Sequence, residues 1–289
     1  MISVRTDEPG TATADGPRRP WVVGVSGASG TPYARAVITA LLAAGVPVDL
    51  VVSRAARLTL LDETGRPFRD AHWRDDLAGW LWPPSALAEP PRLASPSPQP
   101  AEREPAEREP AGPDLGRSDP AASSNPGNPS NAGNPSNPGS ANSTVGDVRY
   151  WAPTDLAAGP ASGSYPSRGM VVVPASTASI AGIALGLSKD LLQRAADVTL
   201  KERRPLVVVP RETPYTRSTL QHLLALHDAG ATVLPASPAF YAGAQNVQQL
   251  VDFVAGKILD VLGVEHDLML RWAGQIGAAR RRVVPGDGD

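Results

Sequence analysis

The sequence predicts an α/β protein in which a parallel β-sheet is covered by helices on both faces. Short apolar runs typical of buried strands recur along the chain, and each is followed by a segment with helical composition. The first run, Trp21–Val25, ends at the glycine-rich turn 26–30, and Pro32 suits the first turn of a helix. The same alternation returns after a long interruption and continues to residue 262. Strands and helices that alternate in this way favour right-handed crossovers within one parallel sheet.

The individual elements are bounded by glycine, proline and helix-capping residues. A helix is expected over 33–44 with Gly45 as its stop, a strand over 46–52, and a helix from Ser53 to about residue 63. The second half predicts, in order, a strand at 170–173, helical segments to 201, a strand at 206–209, a helix at 216–228, a strand at 232–234 and an amphipathic helix at 245–262.

Composition limits the chain to one ordered domain. The chain has 289 residues, of which 42% are hydrophobic and 19% charged, as in ordinary globular proteins. Residues 89–146 are of low complexity, rich in proline and small polar residues, and bury too little apolar area to offset their ordering entropy. We therefore expect a domain over 21–273 with a disordered insertion at about 89–146, a flexible N-terminus over 1–20 and a flexible tail over 274–289.

Charge and cysteine content exclude several function classes. The net charge of -2 and the pI near 6.1 predict no general attraction to nucleic acid or anionic membranes. The chain has no cysteine, which excludes disulfides, thiolate zinc sites and a cysteine nucleophile. No apolar run is long enough to span a membrane, and the N-terminus lacks the apolar segment of a secretory signal, so a cytoplasmic protein is expected. The histidine spacing matches no metal motif, and no metal is expected.

Hydroxyl-rich turns follow three of the predicted strands. The turn Gly27-Ala28-Ser29-Gly30 follows the first strand, Ser53 the second, and the segment 176–179 a later one. Carboxyl ends of parallel strands meet at one edge of the sheet, where free backbone N–H groups bind phosphate or a flavin edge. The alternatives are a tight structural turn for the first segment and simple helix capping for the others.

Arg211 and Glu212 end a further predicted strand and suggest an enzyme for a phosphorylated ligand. A guanidinium binds phosphate through paired hydrogen bonds, and a carboxylate beside a bound phosphate is suited to moving a proton. A structural salt bridge is the alternative for this pair. The cluster 201–204 is typical of a solvated charged face, with Lys201 singled out by the resemblance described next.

The chain resembles the UbiX-type flavin prenyltransferases, in the superfamily of flavin-binding cysteine decarboxylase-like proteins. The most specific matching segment is LKERRPLVVVPRETP at 200–214. The other matching segments are GVSGASGTPYA at 24–34, VVSRAAR with Glu63-Thr64 at 51–64, PASGSY at 160–165, VVVPAST at 171–177, LPASPAFY at 234–241, LVDFVAGKILDVLG at 250–263 and Arg271-Trp272.

This resemblance implies a three-layer, flavodoxin-like (Rossmann-like) fold and a homododecamer with sites between subunits. It implies a metal-independent reaction in which a dimethylallyl group passes from dimethylallyl phosphate to N5 and C6 of reduced FMN. The product, prenylated FMN, is then used by a UbiD-type decarboxylase. Monophosphate and pyrophosphate donors both remain open.

The resemblance also assigns roles to individual residues. FMN binding is assigned to residues of the strand-end turns. They are Gly27, Ala28, Ser29, Ser53, Ser176, Thr177, Ala178, Ser179 and Arg211. Binding of dimethylallyl phosphate is assigned to Tyr241, Lys257, Lys201 and Trp272, and catalysis to Glu212, Lys201, Ser29 and Glu63. Glu212 is the expected proton carrier.

The chain departs from the family pattern at two positions. Lys257 stands where many relatives have arginine, so the charge is kept but bidentate hydrogen bonding is lost. Ala175 stands where many have cysteine, at a position with no expected chemistry.

Two other functions are alternatives to prenyl transfer. An FMN-dependent phosphopantothenoylcysteine decarboxylase-like enzyme is disfavoured because the chain has no cysteine. A non-catalytic flavin-binding subunit is disfavoured because Arg211, Glu212, Tyr241 and Lys201 are all present.

Overall fold

One parallel sheet organises the described part of the chain. A computed structural model describes residues 19–83, 147–240, 244–269 and 271. Its strands are β1 (Trp21–Val25), β2 (Val48–Val52), β3 (Val148–Trp151), β4 (Gly169–Ala175), β5 (Leu206–Pro210) and β6 (Thr232–Val233). They pair in the order β3-β2-β1-β4-β5-β6, and every pairing is parallel. The strands from β2 to β6 repeat the flavodoxin order, and β3 is added at the edge beside β2.

Helices cover both faces of this sheet. They are α1 (Thr31–Ala43), α2 (Arg54–Thr64), α3 (Trp73–Leu81), α4 (Thr177–Ala184), α5 (Leu191–Lys201), α6 (Arg217–Asp228) and α7 (Val247–Leu262). Successive strand residues face opposite layers, so Val23 packs with α1, α2, α3 and α7, whereas Val22 packs with α4, α5 and α6. The predicted three-layer, flavodoxin-like α/β fold is confirmed.

The boundary between α1 and β2 differs from the prediction for a local reason. Gly45 adopts a φ of 67°, and its N–H bonds to the carbonyl oxygen of Leu42 at 2.9 Å. The N–H of Val46 bonds to the carbonyl oxygen of Leu41 at 2.9 Å, which completes a Schellman motif. Val46 therefore belongs to the end of the helix, and β2 begins at Val48 instead of residue 46.

Strand β3 had no counterpart among the predicted elements. It is short and half-buried, and its place depends on long-range contacts. The hydroxyl of Tyr150 donates to Asp70 Oδ1 at 2.5 Å and accepts from Arg57 Nη2 at 2.8 Å. These partners lie far away in sequence, so no local pattern at 148–151 indicates them.

All of these elements belong to one compact unit of the chain. The N-terminus predicted to be flexible over 1–20 is described only at residues 19 and 20, and the insertion at 89–146 and the tail at 274–289 lie outside the described residues. Within the described ranges, no helix is long and apolar enough to cross a bilayer. The same ranges contain no group of side chains suited to holding a metal ion.

Candidate functional site

The loops that follow β1 and β4 lie side by side at the carboxyl ends of the strands. β1 and β4 are neighbours in the sheet, but α1 packs on one face and α4 on the other. The chain therefore leaves the sheet in opposite directions, which opens a crevice at the position where α/β proteins bind ligands. The structure brings the two turns together at one edge, as the sequence led us to expect.

A single buried hydroxyl, that of Ser26, joins the two loops. Its Oγ donates to the carbonyl oxygen of Pro174 at 2.9 Å and accepts from the backbone N–H of Ser176 at 2.6 Å. Its own N–H bonds to the same carbonyl oxygen at 3.2 Å. Ser26 is fully buried, so these hydrogen bonds are shielded from water. This residue was not among the predicted site residues, because its role depends on a contact across the sheet.

The turn after β1 is shaped by close packing at Gly27. A Cβ at this position would lie 2.4 Å from the Cβ of Ala55, at the start of α2. Any larger residue would push α2 away from the turn. Ala28 is buried beneath the turn, whereas Ser29 is exposed on its rim.

Glu63 occupies the N-terminus of α1. Its Oε1 accepts from the N–H of Gly30 at 2.7 Å, and its Oε2 accepts from the N–H of Thr31 at 2.9 Å. Desolvation opposes ionisation of Glu63, but hydrogen bonds from Ser29, Thr31 and Gly30 outweigh it and lower its pKa. These two N–H groups, which the sequence suggested as a phosphate cradle, are thus already bonded to a side chain.

The predicted serines at the other strand ends act as helix caps. Ser53 Oγ accepts from the N–H of Ala56 at 3.1 Å at the start of α2. Ser176 Oγ accepts from the N–H of Ser179 at 3.3 Å and donates to the Oγ of Ser179 at 3.1 Å. Capping, the simpler alternative, is therefore observed. The N–H groups of Thr177 and Ala178 belong to the first turn of α4, where a helix leaves its N–H groups without intrahelical partners and binds anions.

Arg211 reaches across the edge from β5 to the turn after β1. Its Nε donates to the carbonyl oxygen of Ser29 at 2.9 Å. The aliphatic part of its side chain passes close to Gly30, against which the ring of Tyr33 also packs. Burial raises the pKa of Tyr33, and the charge of Arg211 opposes this shift. The guanidinium is therefore anchored to the turn through its Nε.

Glu212 does not form the structural salt bridge that was the alternative interpretation of this pair. Its Oε1 accepts from the neighbouring N–H of Thr213 at 3.0 Å, and among the described residues no cation forms an ion pair with it. Burial raises the pKa of the nearby Tyr215, and the charge of Glu212 raises it further. Glu212 is exposed and stands beside Arg211 with its carboxylate available to a ligand.

Lys201 lies at the opposite edge of the sheet. It ends α5 before β5 begins, whereas Arg211 follows the last residue of β5. The five residues of β5 separate the two positions by roughly 16 Å, at about 3.3 Å per residue. Lys201 pairs there with Glu202, and both side chains lie against Gly163 of the segment PASGSY. A single chain therefore does not bring Lys201 together with Arg211 and Glu212.

The loop around Gly163 is held by two arginines. Arg204 donates to the carbonyl oxygens of Gly163 at 2.7 Å and Tyr165 at 2.8 Å. Arg194 Nε donates to the carbonyl oxygen of Ala161 at 3.2 Å. We refer to residues 158–168 as the amino-edge loop, since it leads into the first residue of β4.

Lys257 lines a separate cavity between α7 and the segment after β6. The cavity has a volume of about 280 Å³ and is lined by Leu234, Pro235, Ser237, Phe253, Val254 and Lys257. Its wall is mainly apolar, with one cation at the side. Tyr241 and Trp272, the other residues assigned to the donor, lie outside the described residues.

Comparison with known proteins identifies the family. A family model described as Flavoprotein matches residues 140–259. The flavin prenyltransferase UbiX of Streptomyces coelicolor is 56% identical over 261 residues, which cover 90% of this chain and 98% of the relative. This chain belongs to the UbiX family of flavin prenyltransferases.

Solved structures agree with this membership. AnUbiX in complex with FMN and dimethylallyl pyrophosphate has a TM-score of 0.61 and 28% identity, covering 90% of this chain and all of that one. A dodecameric FMN-dependent UbiX-like decarboxylase from Escherichia coli O157:H7 has a TM-score of 0.60 and 29% identity, with 88% and 100% covered. The family that the motifs indicated is confirmed, and with it the class of enzyme.

Proposed function

We propose that this chain transfers a dimethylallyl group from dimethylallyl phosphate to reduced FMN. The observation that carries the proposal is the crevice between β1 and β4, where Ser26 joins two loops and Arg211 is anchored beside exposed Ser29. Neutral hydroxyl and N–H donors together with one guanidinium suit a flavin that carries a phosphate. The family to which the chain belongs supports the same ligand.

The residues that would hold FMN are those of the strand-end turns. The proposed set is Gly27, Ala28, Ser29, Ser53, Ser176, Thr177, Ala178, Ser179 and Arg211. When bound in reduced form, FMN supplies the nucleophilic N5 and C6 atoms. Arg211 would neutralise a flavin oxygen or phosphate, and Ser29 would orient the flavin from the rim of the turn.

The donor is proposed to bind through its phosphate to cations and through its hydrocarbon to an apolar wall. Lys257 lies beside the apolar cavity described above and suits this division. Lys201, Tyr241 and Trp272 complete the proposed donor set. The carbon–oxygen bond of the donor breaks, and phosphate leaves with the bonding electrons. Lysine ammonium groups would stabilise the negative charge that develops on it.

Two carboxylates take different proposed roles. Glu212 is exposed beside Arg211 and would accept the proton released when the flavin is alkylated, then pass it to the departing phosphate. Glu63 would act by holding the turn that carries Ser29, since both of its oxygens bond to the N-terminus of α1.

Residues at the two edges of the sheet are proposed to meet only between subunits. Lys201 and the amino-edge loop would approach the crevice of another copy in a homododecamer. A dodecameric UbiX-like structure shares this fold, which supports the assembly. Exposed leucines on α2 and α6 offer apolar surface for such contacts, with Leu58 71% and Leu224 60% exposed. We further propose a cytoplasmic location and delivery of prenylated FMN to a UbiD-type decarboxylase.

The decisive experiment is anaerobic incubation of the purified protein with reduced FMN and each donor in turn. Dimethylallyl phosphate and dimethylallyl pyrophosphate are compared at equal concentration, with protein-free controls. A flavin whose mass has increased by one dimethylallyl group supports the proposal and identifies the donor. FMN recovered unchanged with both donors would contradict it and favour a flavin-binding subunit.

A further inference from the structure

A second group of charges lies at the carboxyl-terminal half of α7. Asp260 Oδ1 accepts from Arg271 Nη2 at 2.9 Å, and Asp260 Oδ2 lies 3.7 Å from Lys257 Nζ. One carboxylate therefore holds two cationic side chains that come from different segments of the chain.

The imidazole of His266 lies beside the same carboxylate. Its Nδ1 accepts from the N–H of Leu268 at 3.2 Å, and its Nε2 lies 3.1 Å from Asp260 Oδ1 and 3.4 Å from Arg271 Nη2. Desolvation opposes ionisation of Asp260, but hydrogen bonds from Arg271 and His266 lower its pKa overall. Two cations and one carboxylate leave a net positive charge in the cluster.

Packing as well as charge brings Arg271 to this place. A Cβ on Gly256 would lie 2.8 Å from His266 Cε1 and 3.0 Å from Met269 Cγ. The segment after α7 therefore rests directly on the backbone of the helix, one residue from Lys257. A side chain at position 256 would force His266 to shift.

Both cations remain open to a ligand. The side chain of Lys257 is 50% exposed and that of Arg271 is 58% exposed, whereas Asp260 between them is only 25% exposed. The apolar cavity of about 280 Å³ adjoins Lys257. An anionic head on a short hydrocarbon chain matches this combination of surplus positive charge and apolar wall.

We propose that Asp260 gathers Lys257 and Arg271 into a two-cation site for the donor phosphate. Arg271 is then a binding residue, and Asp260 is a positioning residue that acts through both cations. Lysine alone offers a point charge, while a guanidinium adds the paired hydrogen bonds that suit phosphate. Arg271 thereby supplies the geometry that Lys257 lacks. This inference rests on the proposed function, because it concerns the donor of that reaction.

The first test is Arg271→Gln in the FMN-loaded full-length protein. We expect KM for dimethylallyl phosphate to rise about 10- to 100-fold, as for loss of a charge-assisted hydrogen bond, while kcat changes less. Calorimetric titration with dimethylallyl phosphate should weaken in parallel, and FMN affinity should stay constant. Arg271→Lys should recover part of the loss. Arg217→Gln, an exposed arginine on α6, is the matched control.

The second test separates positioning by Asp260 from general support of the fold. Asp260→Asn should raise KM by less than Arg271→Gln, and combining the two should add little, because both act on one site. The control is Asp252→Asn. Asp252 lies about two turns before Asp260 on α7 and is hydrogen-bonded to Gln248. If Asp260→Asn lowers the melting temperature but leaves KM unchanged, Asp260 is only structural. That result would overturn its role as a positioning residue.

Unchanged KM and unchanged donor affinity in Arg271→Gln would overturn the two-cation site. Failure of the proposed function looks different, since the wild type would then transfer no dimethylallyl group from either donor. The calorimetric titration still decides the inference in that case, because it measures donor binding without turnover.

Discussion

The two edges of the sheet are built in different ways, although UbiX-type motifs mark both. At the carboxyl edge, the hydroxyl of Ser26 joins neighbouring loops, and Arg211 crosses from β5 to the turn after β1. At the amino edge, the guanidinium groups of Arg194 and Arg204 hold a loop by its backbone carbonyl groups. The crevice where the strand order reverses belongs to the first edge alone.

The amino-edge loop is also fixed from within the sheet. Asp49 on β2 is almost fully buried, and it accepts hydrogen bonds from the hydroxyl of Tyr165 at 2.7 Å and from Trp151 Nε1 at 3.0 Å. Holding the loop in this way requires a buried carboxylate, and burying a carboxylate costs free energy. Lys201 lies against the same loop. At each edge, hydrogen bonds hold only some of the proposed site residues in place. This supports our proposal that two copies of the chain complete one site.

The largest effect is expected from two variants, one altered at each edge, which are tested alone and then co-expressed. Lys201→Ala and Arg211→Gln should each lower turnover by about 100-fold or more, since each removes a charge that binds phosphate or flavin. Co-expression of the two variants should restore about a quarter of the sites, if each site combines two chains at random. Activity is measured as prenylated FMN formed per flavin site.

Mixtures no more active than the two parents would contradict sites shared between subunits. Loss of assembly in either variant is detected by size-exclusion chromatography. As the control, Arg217→Gln is co-expressed with Arg211→Gln.

Glu212→Gln tests chemistry at the carboxyl edge without removing a ligand contact. We expect turnover to fall about 10²- to 10⁴-fold, the range for loss of a general acid–base group, while FMN affinity is retained. Stopped-flow absorbance of the flavin measures the rate, and fluorescence quenching measures affinity. Equal rates in both proteins would remove Glu212 from the mechanism. Glu265→Gln, an exposed glutamate beyond α7, is the matched control.

Ser26→Ala tests whether one hydroxyl holds the two loops in a flavin-binding arrangement. The variant removes the acceptor of the Ser176 N–H and leaves a small void where the hydroxyl was. The unsatisfied N–H costs about 1–3 kcal/mol. We expect FMN affinity to fall about tenfold, whereas Ser26→Thr keeps the hydroxyl and should bind FMN nearly as the wild type does.

Ser167→Ala is the control for Ser26→Ala at the other edge. Its Oγ accepts from Arg204 at 3.2 Å, so it alters the amino-edge loop but not the crevice. Equal loss of FMN affinity in the two alanine variants would remove the distinction between the edges.

The smallest expected effect is a pH dependence from Asp49. Burial raises the pKa of Asp49, and hydrogen bonds from Tyr165 and Trp151 only partly oppose this shift. The folded chain therefore holds this proton more tightly than the unfolded chain, so the free energy of unfolding falls as pH rises through the raised pKa. Urea unfolding of wild type and Asp49→Asn between about pH 4 and pH 7 should show this decline only in the wild type. Parallel pH profiles would contradict it.

Much of the fold could be predicted because its elements are local. The strand Trp21–Val25 matches the prediction fully, and α6 begins one residue later than expected because Thr216 is its N-cap. Such boundaries follow from apolar runs, caps and glycine stops within a few residues. The strand β3 could not be predicted, because its partners Arg57 and Asp70 lie far away in the sequence.

The sequence by itself determined the alternation of strands and helices, the polar turns at strand ends and, through its motifs, the family. Those features depend on local spacing and on residue types that are readable in one dimension. Only the tertiary structure decided that Ser26 joins two loops, that Glu63 caps α1, and that Lys201 stands at the other edge from Arg211. Each of these depends on which strands become neighbours and where a helix ends in space, and hydrogen bonds between distant segments leave no periodic trace in the chain.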